Sequence, residues 1–533
     1  MFILPKKTLS IFIMSLSLII IFIKLIKKKE LTLFLFERKI YISLFIILIL
    51  TFISAFIGGI KFIQLDTLLI FCIFFIFFII LSIFFNTNSV KHESFFRIIA
   101  IVSLIINIYG LIQTAGIDIF PNNFPDYLSE KRIFSTLGNK NFLSYFLAMN
   151  IFSFFYFKKK WKFLSIFPIF SIFIWSSRGA IIALLIQGAW YLLKNKKIKK
   201  LYKIWLIFLS AFFILLFIVW MSGKSRQFKT TMQSGRYTSS TVQRKMIWLT
   251  AFNILKNYPF GIGLGNFENE FFIEQGKLIS KDDSYARYIC NAKYAHNEFL
   301  QVLVEYGIII GTIIIFLVLF IFFKGYQDLN ILFYPFSTII IASSLSFPIH
   351  LPSFILYLFI FLVLSLKRIK YNYIFRPITI FSSLILIFFF IFSSIYFFSK
   401  LRSNYYLNKA LNNEPKYFLN AYKAFPMGSE INFQFGKFLA DNKHFNKALP
   451  LLLRGSKLSY DPSRSYYIAL CYLYKNEDMF AEIYFKNVLK LDPYHYFAHF
   501  YLARLYEKSG KKDLAEQHYK LLDKIIKEKL WQI

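Results

Sequence analysis

Three side chains, far apart in the sequence, carry acid-base or anion-binding chemistry: His296, Arg178 and Arg244. His296 sits in Tyr294-Ala295-His296-Asn297-Glu298-Phe299-Leu300-Gln301, where the longest hydrophilic loop runs into an apolar span. An imidazole near its unshifted pKa is neutral at ambient pH and accepts a proton from a hydroxyl; the alternative is a hydrogen-bonded structural histidine at the interface. Arg178, in Trp175-Ser176-Ser177-Arg178-Gly179-Ala180, is a permanent cation between two short apolar runs. There it must reach water, a carboxylate or an anionic ligand, so it reads either as an anion site or as a snorkelling anchor. Gly179 leaves room for another backbone or a ligand. Arg244 stands at the N-terminal edge of the apolar-periodic stretch Met246–Leu255, where a phosphate would share it with free backbone N–H groups.

The elements that must position these groups follow from periodicity. Leu300, Leu303 and Val304 lie at helical spacing from His296, so a helix starting near Asn297 holds the ring at its mouth. Met246–Leu255 reads as an amphipathic helix lying along the membrane surface. The rest of the chain is 57% hydrophobic and 21% aromatic, far from the balance of a soluble globular protein. A formal charge of +35 raises the question of nucleic acid, yet no nucleic-acid motif occurs, and much of the charge sits in short loops between apolar runs. That pattern is orientation charge.

At about 20 apolar residues per helix, about twelve spans emerge, near residues 8–26, 40–58, 62–85, 97–116, 140–157, 161–175, 178–193, 203–222, 302–323, 331–349, 352–366 and 376–398. Lys27-Lys28-Lys29 with Arg38-Lys39, Lys158-Lys159-Lys160, Lys194 to Lys200, and Lys367-Arg368 with Lys370 fall on one side, which the positive-inside rule makes cytoplasmic. The loops 117–139 and 223–297, the Ser177-Arg178 turn and everything after 398 then face the opposite side, as do Lys6 and Lys7. The fold class is therefore an all-α polytopic membrane helix bundle over residues 1–400. Its first span is retained, because no small-residue cleavage site precedes Lys27.

Other motifs draw quieter readings. Asn139 and Asn141 in Gly138-Asn139-Lys140-Asn141 cap the fifth span. Pro259-Phe260-Gly261-Ile262-Gly263-Leu264-Gly265-Asn266 lacks the Gly-Lys-Ser/Thr ending of a nucleotide loop and reads as a tight turn. His350, between Pro348 and Pro352 with no acidic residue close in sequence, is expected to be structural. Cys72, Cys290 and Cys471 match neither a metal knuckle nor a disulfide framework. After residue 400 composition shifts, and Gly436, Leu439, Ala448 and Leu452 recur as Ala469, Tyr472, Ala481 and Phe485, then as Ala503, Tyr506, Ala515 and Tyr519, at offsets of 33 and 34 residues. This is the tetratricopeptide period, so residues 401–533 form an α-solenoid that recruits a protein partner, with 403–428 an imperfect first unit and Asp461-Pro462 and Asp492-Pro493 closing two units.

Together Gly138-Asn139-Lys140-Asn141-Phe142, Ser177-Arg178-Gly179, Arg244 with Trp248, the glycine turn, and Ala295-His296-Asn297-Glu298 through Glu305-Tyr306-Gly307 resemble the O-antigen ligase and polymerase family over about residues 130–350. The resemblance implies a multi-pass protein of the bacterial inner membrane that takes a glycan from an undecaprenyl-diphosphate carrier on the periplasmic face. Lipid A core, another glycan or a protein hydroxyl would be the acceptor, and neither metal nor cofactor is implied. Arg178 and Arg244 match arginines that hold the diphosphate, and His296 the histidine that activates the acceptor. By the span count the tail faces the periplasm, and the similarity to members with tetratricopeptide tails favours a protein acceptor or an assembly partner over lipid A core. Two rival readings remain, a polysaccharide transporter and a membrane-tethered scaffold. A transporter favours ionisable residues in mid-span, whereas these cluster at one face.

Overall fold

The computed structural model describes residues 30–36, 38–59, 67–73, 75–76, 78, 92–117, 137, 139–157, 159–194, 240–328, 332–365, 368–374, 377–412, 414–528 and 530. The expected spans at 8–26 and 203–222 and Gly138 of the Gly138-Asn139-Lys140-Asn141 motif lie outside them. Apolar runs fold as helices because hydrocarbon offers the backbone no other hydrogen-bond partner. They are Arg38–Ile57 (α1), His92–Thr114 (α2), Lys140–Asn150 (α3), Ile166–Ile174 (α4) and Arg178–Lys194 (α5). Among the described residues Lys39–Ile57, Glu93–Thr114 and Ile308–Tyr326 are long and apolar enough to cross a membrane. Shorter apolar helices occur at Trp161–Ile174, Phe333–Leu345 and Ser353–Leu364.

One exception breaks the helical pattern. Glu30–Phe36 (β1) pairs antiparallel with Arg368–Ile374 (β2), Glu30 opposite Ile374. Both strands come from loops that the charge count places on one side of the membrane. The expected span 140–157 is also shorter than its apolar run: α3 ends at Asn150 and a 3-10 turn continues to Tyr156.

The extramembrane loop builds Ser240–Asn257 (α6) and Phe267–Lys281 (α7) and leads into Glu298–Tyr306 (α8). Ile247, Ala251 and Ile254 of α6 bury against Phe267, Phe271, Leu300 and Val304. The apolar stripe taken for a membrane-surface helix is thus consumed by the loop's own core. Ile308–Asp328 (α9), Phe333–Leu345 (α10) and Pro352–Ser365 (α11) follow. The span expected from 302 starts instead at Ile308, because Gly307, at φ +82°, separates α8 from α9. A Cβ there would strike the Phe260 backbone. In the membrane core Phe96, Phe146, Phe152, Phe354 and Phe361 are fully buried, and the Gln187 amide on α5 donates to Tyr334 O (2.7 Å) and Thr338 Oγ1 (2.6 Å) on α10. Such a polar clasp between apolar helices holds their register.

The helix Pro377–Leu411 (α12) runs through the boundary expected at residue 400. It packs on Tyr417–Ala424 (α13), with Ser403 Oγ donating to Ala421 O at 2.7 Å. Ser429–Asp441 (α14), Phe445–Leu458 (α15), Pro462–Tyr474 (α16), Asp478–Leu491 (α17), Tyr496–Lys508 (α18) and Lys512–Glu528 (α19) then pair successively. Gly436 lies against Leu452, the small-on-large contact that the repeat demanded. Asp461 and Pro462 open α16 rather than close the unit before it: Asp461 accepts from Arg464 N and Pro462 takes the first helical position.

The tail docks on the loop. Helix α7 packs against α17, and Asn269 Oδ1 accepts from Tyr460 N at 2.9 Å. The Asp283 carboxylate accepts from both Tyr494 and Lys524, and Tyr494, Ile525 and Leu530 share a core with Met246 and Ile279. Gly276 faces Lys490 O so closely that no Cβ fits. Gly276→Leu is expected to lift the tail from the loop while leaving its own helix pairs folded. Limited proteolysis or hydrogen exchange would show α7 and the 283–288 segment losing protection while α14 to α16 keep theirs.

Candidate active site

Helix α8 begins where the sequence places it, with Asn297 Oδ1 capping Leu300 N at 3.1 Å, worth about 1 kcal/mol. His296 precedes the cap at φ +52°, a left-handed conformation that costs a non-glycine residue about 1–2 kcal/mol. Its flanking peptide is held on both sides. Ala295 N donates to Gln301 Oε1 at 2.6 Å, Ala295 O accepts from Trp248 Nε1 at 3.0 Å, and Gln301 Nε2 donates to Glu305 Oε1 at 2.6 Å. The imidazole packs edge-on against Phe347, centroids 4.9 Å apart, and its buried Nδ1 has no hydrogen-bond partner among the described residues.

Trp248 follows Arg244 by one helical turn, so the bond to Ala295 also registers the Arg244 face of α6 against His296. Helix α6 starts at Ser240, which puts Arg244 inside the helix rather than at its free N–H groups. Arg244 lies within electrostatic reach of Tyr145, Arg178 and His296. Burial first, and then the Arg178 guanidinium, work against its charge, while Tyr145 acts the other way. Among the described residues neither Arg178 nor Arg244 has a carboxylate partner. Two like charges are therefore held together unneutralised, which is costly unless an anion visits.

Arg178 is the first residue of α5, where the helix's partial positive charge adds to its own. The turn before it is set by Trp175, whose Nε1 donates to Thr114 Oγ1 at 2.9 Å, and by Ser176 at φ +52°. The space that Gly179 leaves is taken by the Tyr145 ring of α3, against which any Cβ would collide. Asn139 caps α3 by accepting from Asn141 N at 2.7 Å; Asn141 itself does not cap. One turn along, Phe142 packs on Phe347 with centroids 5.2 Å apart. Burial, first, and Arg244, second, push the His296 imidazole down to about 4, well below the unshifted value expected from sequence. The ring is neutral throughout the physiological range and a weaker base than expected.

Residues 163–316 match the O-antigen ligase family model. All three side chains fall inside this stretch, which is under a third of the chain. The match supports a membrane glycan ligase-type activity. No curated protein matches the chain. Among solved structures, one of MamA is 21% identical over 21% of this chain and 65% of its own, with a TM-score of 0.20; the chain thus spans just under two thirds of that protein. A MamA fragment from Desulfovibrio magneticus RS-1 is 17% identical over 25% of this chain and 75% of its own, with a TM-score of 0.21.

Tyr145, Gln301, Glu298 and Phe347 join the site without having been singled out from sequence. Gln301 and Glu298 lie in the His296 motif, and their spacing along α8 was the available signal; Tyr145 and Phe347 gave none. His350, expected to be structural, has a partner that its sequence neighbourhood did not show. Its Nδ1 lies 3.2 Å from Glu298 Oε2, so the acidic partner missing nearby in sequence is present in space. Trp248→Phe is expected to leave Ala295 O unpaired and to cost about 1–3 kcal/mol locally. Transfer should fall about 10- to 100-fold through misplacement of His296, measured as turnover beside the melting temperature of the purified protein.

Proposed function

We propose that the protein transfers a glycan from an undecaprenyl-diphosphate carrier to an acceptor hydroxyl on the periplasmic face of the bacterial inner membrane. The observation that carries this reading is the gathering of Arg178, Arg244 and His296, two cations that have no carboxylate partner among the described residues, beside a neutral imidazole. The guanidinium groups hold the diphosphate and stabilise the charge it gains as its bond to the sugar breaks. His296 accepts the proton of the acceptor hydroxyl, whose oxygen bonds to the anomeric carbon. The electron pair of the old bond leaves with the undecaprenyl diphosphate, and the anomeric centre inverts. Because fixed guanidinium groups supply the counter-charge, we propose that transfer needs no metal, and a chelator should leave turnover unchanged.

Ligation to lipid A core, polymerisation of repeat units and transfer to a protein hydroxyl would share this chemistry, and the acceptor alone separates them. The tetratricopeptide tail supplies a surface for a protein partner. Mass spectrometry of lipid A, free polymer and envelope proteins from a deletion strain would show which species loses glycan. Complementation with Arg178→Gln, Arg244→Gln or His296→Gln at matched protein levels tests the site: transfer predicts failure of each variant, whereas a scaffold tolerates all three.

A further inference from the structure

A cavity of about 380 Å3 is joined to His296 through a run of aromatic rings. Phe347 links the two: its ring centroid lies 4.9 Å from that of His296 and 4.9 Å from that of Tyr294, which in turn packs 4.1 Å from His350. Tyr294 and His350 both line the cavity, whereas Arg178, Arg244 and His296 do not. Below them the walls are apolar, formed by side chains such as Ile47, Phe71, Val318, Ile339 and Leu358 from α1, α9, α10, α11 and the 67–73 stretch. The volume falls in the range of small-molecule sites.

The roof is polar in a specific way. Glu298 and Glu305 of α8 both line the cavity and are only 4% and 6% exposed. Together with Glu268 they outnumber Lys293, the ammonium that also lines the cavity, so an acidic roof is no second seat for a diphosphate; burial pushes Glu305 up to about 7, so near neutrality its carboxyl either donates to or accepts from a hydroxyl. Ser343 of α10 also lines the chamber, 3% exposed, and its hydroxyl has no hydrogen-bond partner among the described residues. A buried hydroxyl left unpaired is costly, and a ligand hydroxyl would recover that cost. Glu268, a further lining residue, lies within electrostatic reach of Lys293 and, beyond it, of Arg464, Asp461 and Glu430 of the tail.

We propose that this chamber is a second substrate site, seating an amphiphilic acceptor whose alkyl chain fills the apolar part and whose uncharged sugar head bonds to Ser343 and the two carboxylates. The assignment rests on the transferase reading, because a group transfer needs a second substrate whose hydroxyl approaches His296 from outside the cationic pocket. Phe347 then links the two sites, and the hydroxyl reaches His296 past its edge.

The test uses the full-length protein in lipid nanodiscs and a diazirine-bearing dodecyl glucoside. Photolabelled peptides should map to Val318 on α9 and Leu358 on α11, and excess dodecyl maltoside should compete. Val318→Trp, which fills the chamber, should cut labelling at least tenfold. Ser343→Val, which keeps the volume and removes the hydroxyl, should weaken competition by the glycoside several-fold and keeps the proposal falsifiable if the tryptophan variant misfolds. Adducts confined to the lipid-facing Phe316 and Ile309, equal labelling of wild type and Val318→Trp, or competition by phosphatidylglycerol as strong as by the glycoside would overturn it. Labelling is read without turnover, so its failure is distinct from a failure of transfer.

Discussion

Changing His296 to glutamine should lower the rate of transfer about 10²–10⁴-fold, the range for loss of a positioned general base, with little change in donor affinity. Glutamine keeps a hydrogen-bonding tip but accepts no proton. The pH dependence gives a sharper signature than the loss itself. Burial and then Arg244 lower the imidazole pKa to about 4, so the neutral, proton-accepting form persists as pH falls and is lost only near that value. The acid limb of kcat/KM, which reports the free enzyme, should therefore lie near pH 4 rather than at the ordinary histidine value. A bound diphosphate gives Arg244 a counter-charge and removes one of the two causes, so the acid limb of kcat should sit higher than that of kcat/KM. A kcat/KM limb at the unshifted position, or one that persists in His296→Gln, would contradict this assignment.

The sequence made some of this legible and hid the rest for physical reasons. The helix opening at Asn297 was readable because a cap and a 3.6-residue apolar period are local signals. The tail was readable because its repeat places small residues where neighbouring helices touch, as Gly436 does against Leu452. The fate of the α6 stripe was not: periodicity shows that a face is buried, not whether lipid or protein covers it. The break at Gly307 was likewise invisible to a hydropathy window, since its cause is the approach of the Phe260 backbone some 50 residues earlier. The roles of Tyr145 and Phe347 depend wholly on long-range packing, and so does the pairing of His350 with Glu298.

Arg244→Gln is the second large effect, an expected loss of about 10²–10³ in kcat, the range for removing one preorganised group that stabilises developing charge. Arg244→Lys should recover only part of this, because an ammonium keeps the charge but loses the planar fork that fits a phosphate. Arg178, exposed at the start of α5, should cost less when changed to Gln. The double variant should lose less than the sum of the two, since both cations serve one anion and each relieves repulsion on the other. A further consequence separates an electrostatic role from a merely structural one. Arg244 is one of the two causes that hold the His296 imidazole low, so Arg244→Gln should move the acid limb of kcat/KM upward. A structural lesion that only loosened the loop would lower the rate without that displacement. Steady-state pH profiles of wild type and Arg244→Gln, with kcat and KM resolved at each pH, decide between them, because the shared field that binds the diphosphate also sets the basicity of the residue that deprotonates the acceptor.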